Sequence, residues 1–402
     1  MALNDLEEAC RLACGHLAQS PLEGPAQRRL RHDSALRERI EAIAPLLHTC
    51  GTVHAPATPP DASKDLAPSG EIRAVSWNIE RGKRFEALAR TLTEHRDLKD
   101  ADIYLLTEVD WGMARSGNRN VTADLGKALG FHAYFAPSYF NFTSGHGSER
   151  HITEPNTLGL HGKAILSRFP LENLRVSAMT NATDKLKSKE VRLGQKRSLV
   201  GELPVAEGRL SVACVHLDAF SSPRMRAFQF QEAVRPLLNG SSSLPALVAG
   251  DWNTNTMNST SGRTLFASVL RQLLSPGPSR MISGHHGFPQ KKFDRPLFET
   301  LRKIGLDYEN FNEEGVGTFD LVTDDLELGQ MAKDQFPEWI LRWINRIVAK
   351  SGGQFSLKLD WFAARGLRPL LKKVVRLKPV ADYEPGERPS DHHPVLLTFE
   401  IF

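Results

Sequence analysis

Cysteine is scarce in this chain of 402 residues: there are four, Cys10, Cys14, Cys50 and Cys214, with no paired spacing. That excludes a disulfide framework as the source of stability and fits a reducing compartment. Cys10 and Cys14 stand one helical turn apart. They read either as half of a metal site or, with no ligand pair nearby, as two small buried side chains; the second is preferred. Also missing is any run of the roughly 18 apolar residues that a membrane-spanning helix needs. The N-terminus, MALNDLEEACRLACGHLA, carries acid where a secretory leader would carry base, and no apolar segment follows. A cytoplasmic location is therefore expected. Charge of one sign is lacking too. Lys and Arg number 51 against 47 Asp and Glu, a formal charge of +4. That balance does not mark a general nucleic-acid coat, and it leaves room for a local basic groove. No internal repeat of fixed period is present.

What is present divides the chain. Residues 1–50 carry apolar positions at helical spacing (Leu6, Cys10, Ala13, Cys14 and Leu17, then Leu36, Ile40, Ile43 and Leu47), which predicts a helical pair or hairpin. Residues 51–70 hold four prolines and no apolar pattern, and read as a linker. From 71 to 402 short apolar runs appear at 72–77, 102–108, 163–167, 198–203, 210–217, 246–250, 359–363 and 394–401. Helical stretches lie between several of them, at 85–95, 123–129, 224–238, 263–274 and 295–304. Alternation of this kind predicts a layered α/β or α+β domain.

Polar residues gather at the ends of those runs. Asn78 and Glu80 follow IRAVSW, Glu108 ends DIYLLTE, and His216 lies near the end of LSVACVHL. Asp251 and Asn253 follow ALVAG, Asp360 lies in LKLDWF, and Asp391 and His392 precede PVLLTFEI. Any one of them alone reads as a turn former or a satisfied core histidine. As a set they are carboxylates and amides suited to Mg²⁺ or Mn²⁺, with imidazoles for acid–base work. Strand ends are where α/β enzymes gather side chains from distant positions.

The order SWNIE, TEVD, VHLD, GDWNTN, LDW, SDHHP resembles the endonuclease/exonuclease/phosphatase superfamily over residues 71–402. The resemblance implies a four-layered α/β sandwich, two mixed sheets face to face with helices outside, here with an N-terminal helical extension. It implies a Mg²⁺- or Mn²⁺-dependent hydrolase of phosphoesters. Glu108 would be the main metal ligand, with Asn78 beside it and Asp391 completing the site. Asp251 would activate water, Asn253 would hold the phosphate, and His392, its ring fixed by Asp360, would contact the phosphate oxygens. His216 would be a second imidazole there. Two features depart from the pattern. Lys163 stands where the family more often has Asn, either touching a phosphate as a point charge or lying on a strand edge. Glu80 stands where some members have Asp, near a possible second metal. Arg226 and Gln229 read as structural or phosphate-side residues; Arg226 is counted among the substrate-binding candidates with Asn78 and Lys163.

His216 in VHLD disfavours the apurinic-endonuclease branch. A nuclease-like phosphodiesterase is preferred, with a phosphoester substrate, nucleic acid among the candidates. A sphingomyelinase-like enzyme or inositol-phosphate phosphatase is the alternative. An inactive scaffold is the reading from another class, disfavoured because no metal or base position has decayed. Residues 335–350 place Trp339 and Trp343 on one helical face with Arg342, Arg346 and Lys350 nearby. That segment reads as a capping helix, a groove for a polyanionic strand, or a membrane-surface contact. His285 and His286 invite a metal reading, against which stands a plain Gly-flanked loop.

Overall fold

The computed structural model describes residues 2–57, 70–206, 208–238, 244–255, 287–322, 354–378 and 387–402, with a few isolated positions besides. Three helices open the chain: α1 (Ala2–Gln19), α2 (Ala26–His32) and α3 (Ser34–Leu46). A pair was expected from the periodicity. The extra break falls at Asp33, whose side chain accepts from the Leu36 N–H at 2.9 Å and so starts a new helix. The stretch expected as linker begins with structure: β1 (Gly51–His54) joins the edge of a large sheet beside β4. Thr52 and Val53 are β-formers, and three of the four prolines come later, in 58–69, which lie outside the described residues.

The next elements are β2 (Glu71–Arg81), α4 (Phe85–Glu94), β3 (Ile103–Trp111), α5 (Val121–Leu129), β4 (His132–Asn141) and β5 (Leu160–Ser167). Then come β6 (Glu172–Ala178), β7 (Arg192–Gly194), β8 (Arg197–Val205), β9 (Gly208–Cys214), α6 (Pro223–Ala233) and α7 (Arg235–Leu238). The chain ends with β10 (Ala246–Asp251), α8 (Arg295–Lys303), β11 (Phe319–Val322), β12 (Gln354–Leu357), β13 (Asp360–Arg365), β14 (Leu367–Val374) and β15 (Val395–Ile401). The helix expected at 263–274 falls on residues described only in part.

Two mixed sheets result. One runs β1-β4-β5-β3-β2-β15-β14, with β7 also on β4; the other runs β13-β10-β9-β8-β6. Ile72, Leu105, Ile165, Val212, Leu247 and Phe362 pack between them. The outer face of the first sheet buries Trp77, Leu106 and Phe140 against α4, α5 and the N-terminal helices, which contribute Leu6, Cys10, Leu36 and Ile40 to the same core. The outer face of the second buries Val248 and Trp361 against Phe230 of α6 and Leu297 and Phe298 of α8. The architecture is a four-layered α/β sandwich, as the family resemblance implies. Cys10 and Cys14 are free, buried thiols within an apolar cluster.

The period of two along each strand explains where the polar groups go. Ala74 on β2 packs between the sheets, so Ser76 and Asn78 continue along that inner face. Ile165 on β5 is likewise followed, two and four residues toward the strand's start, by Lys163 and His161. Val212 and Cys214 lead to His216; Leu247 and Ala249 lead to Asp251; Ala364 and Phe362 lead back to Asp360. Register brings these ends to one rim, with Asp251 opposite Asp360 and Asp110 opposite His161.

Candidate active site

Glu108 does not follow the alternation, because it sits on a β-bulge. Thr107 pairs with Lys163 and Val109 with Gly162, leaving Glu108 as the extra residue, with φ +54°. A bulge re-aims a side chain, here toward the gap between the sheets. Glu80, Arg81 and Asn253 also hold positive φ, at 47°, 68° and 50°. Non-glycine residues in that region cost about 1–3 kcal/mol each and cluster where a site over-determines the backbone. Gly250, at φ +139°, is required for a different reason: a Cβ there would lie 1.9 Å from the Val215 carbonyl oxygen. The segment carrying His216 is thereby allowed to lie directly on β10, and the Leu217 N–H donates to the Asp251 carbonyl at 3.0 Å.

Asn78 Nδ2 donates to Asp251 Oδ2 at 3.0 Å, and the Asn253 N–H donates to Asp251 Oδ1 at 2.8 Å. Around the same carboxylate stand His216 Nε2 at 3.6 Å and His392 Nε2 at 4.0 Å. Glu108 Oε1 lies 3.9 Å from His216 Nε2. His392 Nδ1 pairs with Asp360 Oδ2 at 2.7 Å, and the Thr318 hydroxyl donates to that same oxygen at 2.7 Å. The loop that carries His392 is itself held: Trp77 Nε1 donates to the His392 carbonyl at 2.9 Å and Ser390 Oγ donates to the Asn78 carbonyl at 2.6 Å. Asn253 donates through Nδ2 to the Leu217 carbonyl at 2.9 Å. Asp391 flanks the group, its N–H donating to Glu80 Oε2 at 3.1 Å.

Electrostatics differentiate these groups. Burial disfavours a charged His392, yet the charge and hydrogen bond of Asp360, reinforced by Asp391 and Asp251, hold its pKa well above the usual range. Burial and the charges of Lys196 and Lys163 keep His216 well below it. Burial and the nearby Asp360 push Asp251 up to about 7, against the pull of His392 and Lys196. Burial opposes ionisation of Glu108, but Arg81, with Nε 3.8 Å away, and the more distant His161 and Lys196 bring its pKa down to about 2. Asp391 is pushed up to about 6 by burial and by Glu80 and Glu108.

Two groupings offer metal ligands. Asp251, Asp360 and His392 bring ligand-type atoms within 4.8 Å of one another. In that trio Asp360 Oδ2 is already taken by His392 Nδ1, which reads as an oriented imidazole rather than a cation cage. Asn78, Glu108 and Asp391 carry hard oxygens, and Asp391 is raised by burial first and then by the charges of Glu80 and Glu108, against the pull of His392 and Arg388. Oxygen donors of this kind suit a divalent cation.

Other expected residues lie elsewhere. Arg226 is a correction: it is wholly buried, with Nη2 2.9 Å and Nε 3.0 Å from Asp294 Oδ1, and ties α6 to the start of α8. An arginine satisfied inside the protein has no hydrogen bonds to offer a substrate. Gln229 is structural as well, donating to Asp218 Oδ2 at 3.0 Å. Lys163 is buried beneath the rim, donating to Ser138 Oγ at 3.1 Å, and burial lowers its pKa to about 8. It is neither an edge residue nor open to a phosphate. Glu80 is engaged by Lys83 at 2.8 Å, Arg84 at 2.7 Å and Arg388 at 3.4 Å, so a second metal would have to displace three cations. His285, His286 and most of 335–350 lie outside the described residues, so those readings stay as expectations. The sequence reading passed over Asp110, His161, Lys196 and Thr318. Asp110 and His161 were within reach: TEVD ends in Asp110, and His161 shares the inner-face parity of Lys163.

Among solved structures the chain is similar to an endonuclease/exonuclease/phosphatase from Beutenbergia cavernae at 16% identity, covering 82% of this chain and 72% of that one, with a TM-score of 0.47. It is similar to the human Nocturnin catalytic domain at 18% identity, covering 86% and 100%, with a TM-score of 0.43. An AP endonuclease from Archaeoglobus fulgidus shows 14% identity, 82% and 100% coverage and a TM-score of 0.44. Among curated proteins no sequence match is found. The family model described as "Endonuclease/Exonuclease/phosphatase family" matches residues 75–392, which takes in every polar group at the rim. Members of that family are phosphoester hydrolases and usually use a divalent metal. This chain belongs to the endonuclease/exonuclease/phosphatase family.

Proposed function

We propose that the protein is a Mg²⁺- or Mn²⁺-dependent phosphodiesterase of nuclease-like type. The observation that carries this is the convergence on Asp251 of Asn78, His216 and His392, contributed by both sheets, within 4.0 Å of one carboxylate. Asn78, Glu108 and Asp391 would hold the cation, which when bound offsets phosphate charge and steadies the leaving oxygen. Asp251, with a pKa near neutrality, takes the proton of the attacking water. His392 enters as a cation and donates a charge-assisted hydrogen bond to a non-bridging oxygen. Asp360 and Thr318 fix its ring, so no reorganisation is needed as charge develops. Asn253 holds a phosphoryl oxygen with the amide hydrogen not given to Leu217, and neutral His216 lines the far side.

Among the described residues no helix is long and apolar enough to cross a membrane. The free cysteines favour a cytoplasmic location. The substrate class is decided by a panel of single-stranded oligonucleotide, sphingomyelin vesicles and inositol polyphosphate, each with Mg²⁺ and with EDTA. Metal-dependent cleavage of the oligonucleotide is expected; cleavage of the lipid or inositol phosphate alone assigns the alternative, and no turnover on any of them rejects the enzyme.

A further inference from the structure

A further imidazole–carboxylate pair, besides His392 and Asp360, stands where β3 and β5 pair in the first sheet. His161 Nδ1 is 2.8 Å from Asp110 Oδ1. Asp110 does not need the ring for its own neutralisation, because Arg115 already grips both its oxygens, Nε on Oδ2 at 2.7 Å and Nη2 on Oδ1 at 3.1 Å. Arg115 is in turn held by Glu190 at 2.6 Å and Glu149 at 3.3 Å. The carboxylate is therefore a fixed acceptor, and it assigns the Nδ1 proton of His161. Tyr139 stacks along the ring with centroids 6.3 Å apart and planes 18° apart, setting its plane. His161 ends the inner-face row that runs from the core through Ile165 and Lys163, and its side chain keeps 7% exposure at the rim. Its charged and imidazole neighbours there include Glu108 and His216. A purely structural histidine would spend both nitrogens inside the protein. This one commits Nδ1 and has Nε2 at the end of the ring away from Asp110.

We propose that His161 is a further catalytic residue, its Nε2 hydrogen-bonding a phosphoryl oxygen of the substrate, and that Asp110 is its positioning residue. Burial lowers the pKa of the His161 ring; an anionic ester in the cleft would place the ring between two anions, phosphate and carboxylate, and so offset that loss in favour of the imidazolium. The two dyads would then both contact the phosphoryl group. This rests on the phosphoesterase reading, and the test separates the two.

His161→Gln and Asp110→Asn are compared with wild type on an activated phosphodiester, bis(p-nitrophenyl) phosphate, in the metal that wild type uses. Loss of one such donor is expected to lower kcat by about a hundredfold or more with KM little changed. Loss of the orienting carboxylate is expected to cost about tenfold, and nothing further in the His161→Gln background. An Asp110 that mattered only for folding would give the same added loss in both backgrounds, and that result overturns its positioning role. Independently of turnover, the ring resonances of His161 in the wild-type protein are followed by NMR while inorganic phosphate is added. A saturable shift supports the contact, and unmoved resonances overturn it even if the variants misfold. A wild type that hydrolyses no phosphoester but shifts His161 with phosphate rejects the enzyme reading while leaving the anion contact standing.

Discussion

Asp251 Oδ2 lies 3.0 Å from Asn78 Nδ2, a hydrogen bond that crosses from one sheet of the sandwich to the other. It joins the group proposed to activate water with a group proposed to hold the metal, so the base is aligned by the cation site itself. Replacing Asn78 by Ala is expected to lower kcat by about 10- to 100-fold and to raise the Mg²⁺ concentration needed for half-maximal activity, as loss of a metal site's supporting partners does. A variant with unchanged half-saturation in Mg²⁺ removes Asn78 from the metal site.

Asp360 holds the His392 ring at 2.7 Å and also raises the pKa of Asp251. Asp360→Asn keeps the size of the side chain but loses the charge that holds the imidazole in its cationic form. Turnover is expected to fall by roughly 10²- to 10⁴-fold, the range for a positioned acid–base group. The His392 pKa, read by NMR, is expected to drop toward its ordinary value. Activity retained with a lowered His392 pKa would refute the cationic role.

The N-terminal helices share a core with the outer face of the large sheet, so they are expected to behave as part of the folded unit. Ile40 is buried among Leu6, Leu36 and Phe140 in that cluster. Ile40→Ala is expected to cost about 2–5 kcal/mol in urea unfolding, with one cooperative transition retained. Two separate transitions would show that residues 1–50 fold independently.

Asp33 caps α3 through Leu36 and pairs with His16 at 2.8 Å. The cap and the His16 hydrogen bond lower its pKa from 3.8 to about 2. A depressed carboxylate contributes stability that is complete above its unfolded pKa and is lost as pH falls through the folded one. Wild type is therefore expected to lose its advantage over Asp33→Ala progressively between pH 3.8 and about 2, with the difference constant above that window. Thermal melts across that range check it; a gap that widens on acidification contradicts the sign.

Much of this site is legible in the sequence because each of its strands carries an apolar run that stops at a polar residue. ALVAG ending in Asp251 and LSVAC leading to His216 need only a period of two to place both groups at the end of a buried row. Three things lie beyond that rule. The Glu108 bulge depends on register against β5, which no local pattern encodes. Arg226 looks like a site residue because it follows VHLD, but its partner Asp294 is 68 positions away and only the fold reveals it. His161 and Asp110 are far apart in the chain and become a pair only where β5 lies antiparallel to β3. The segment at 51–54 misled because the prolines after it dominate the composition, while four residues suffice for an edge strand.

The central claim is that the groups around Asp251 form one metal-assisted hydrolytic centre. Its most direct test is turnover of bis(p-nitrophenyl) phosphate by wild type and Asp251→Asn, each titrated with Mg²⁺ after EDTA treatment. Wild type is predicted to recover activity as Mg²⁺ is restored, while Asp251→Asn binds the metal yet stays at least about a hundredfold slower at every concentration. Equal rates for the two proteins, or wild-type turnover indifferent to EDTA, would contradict it.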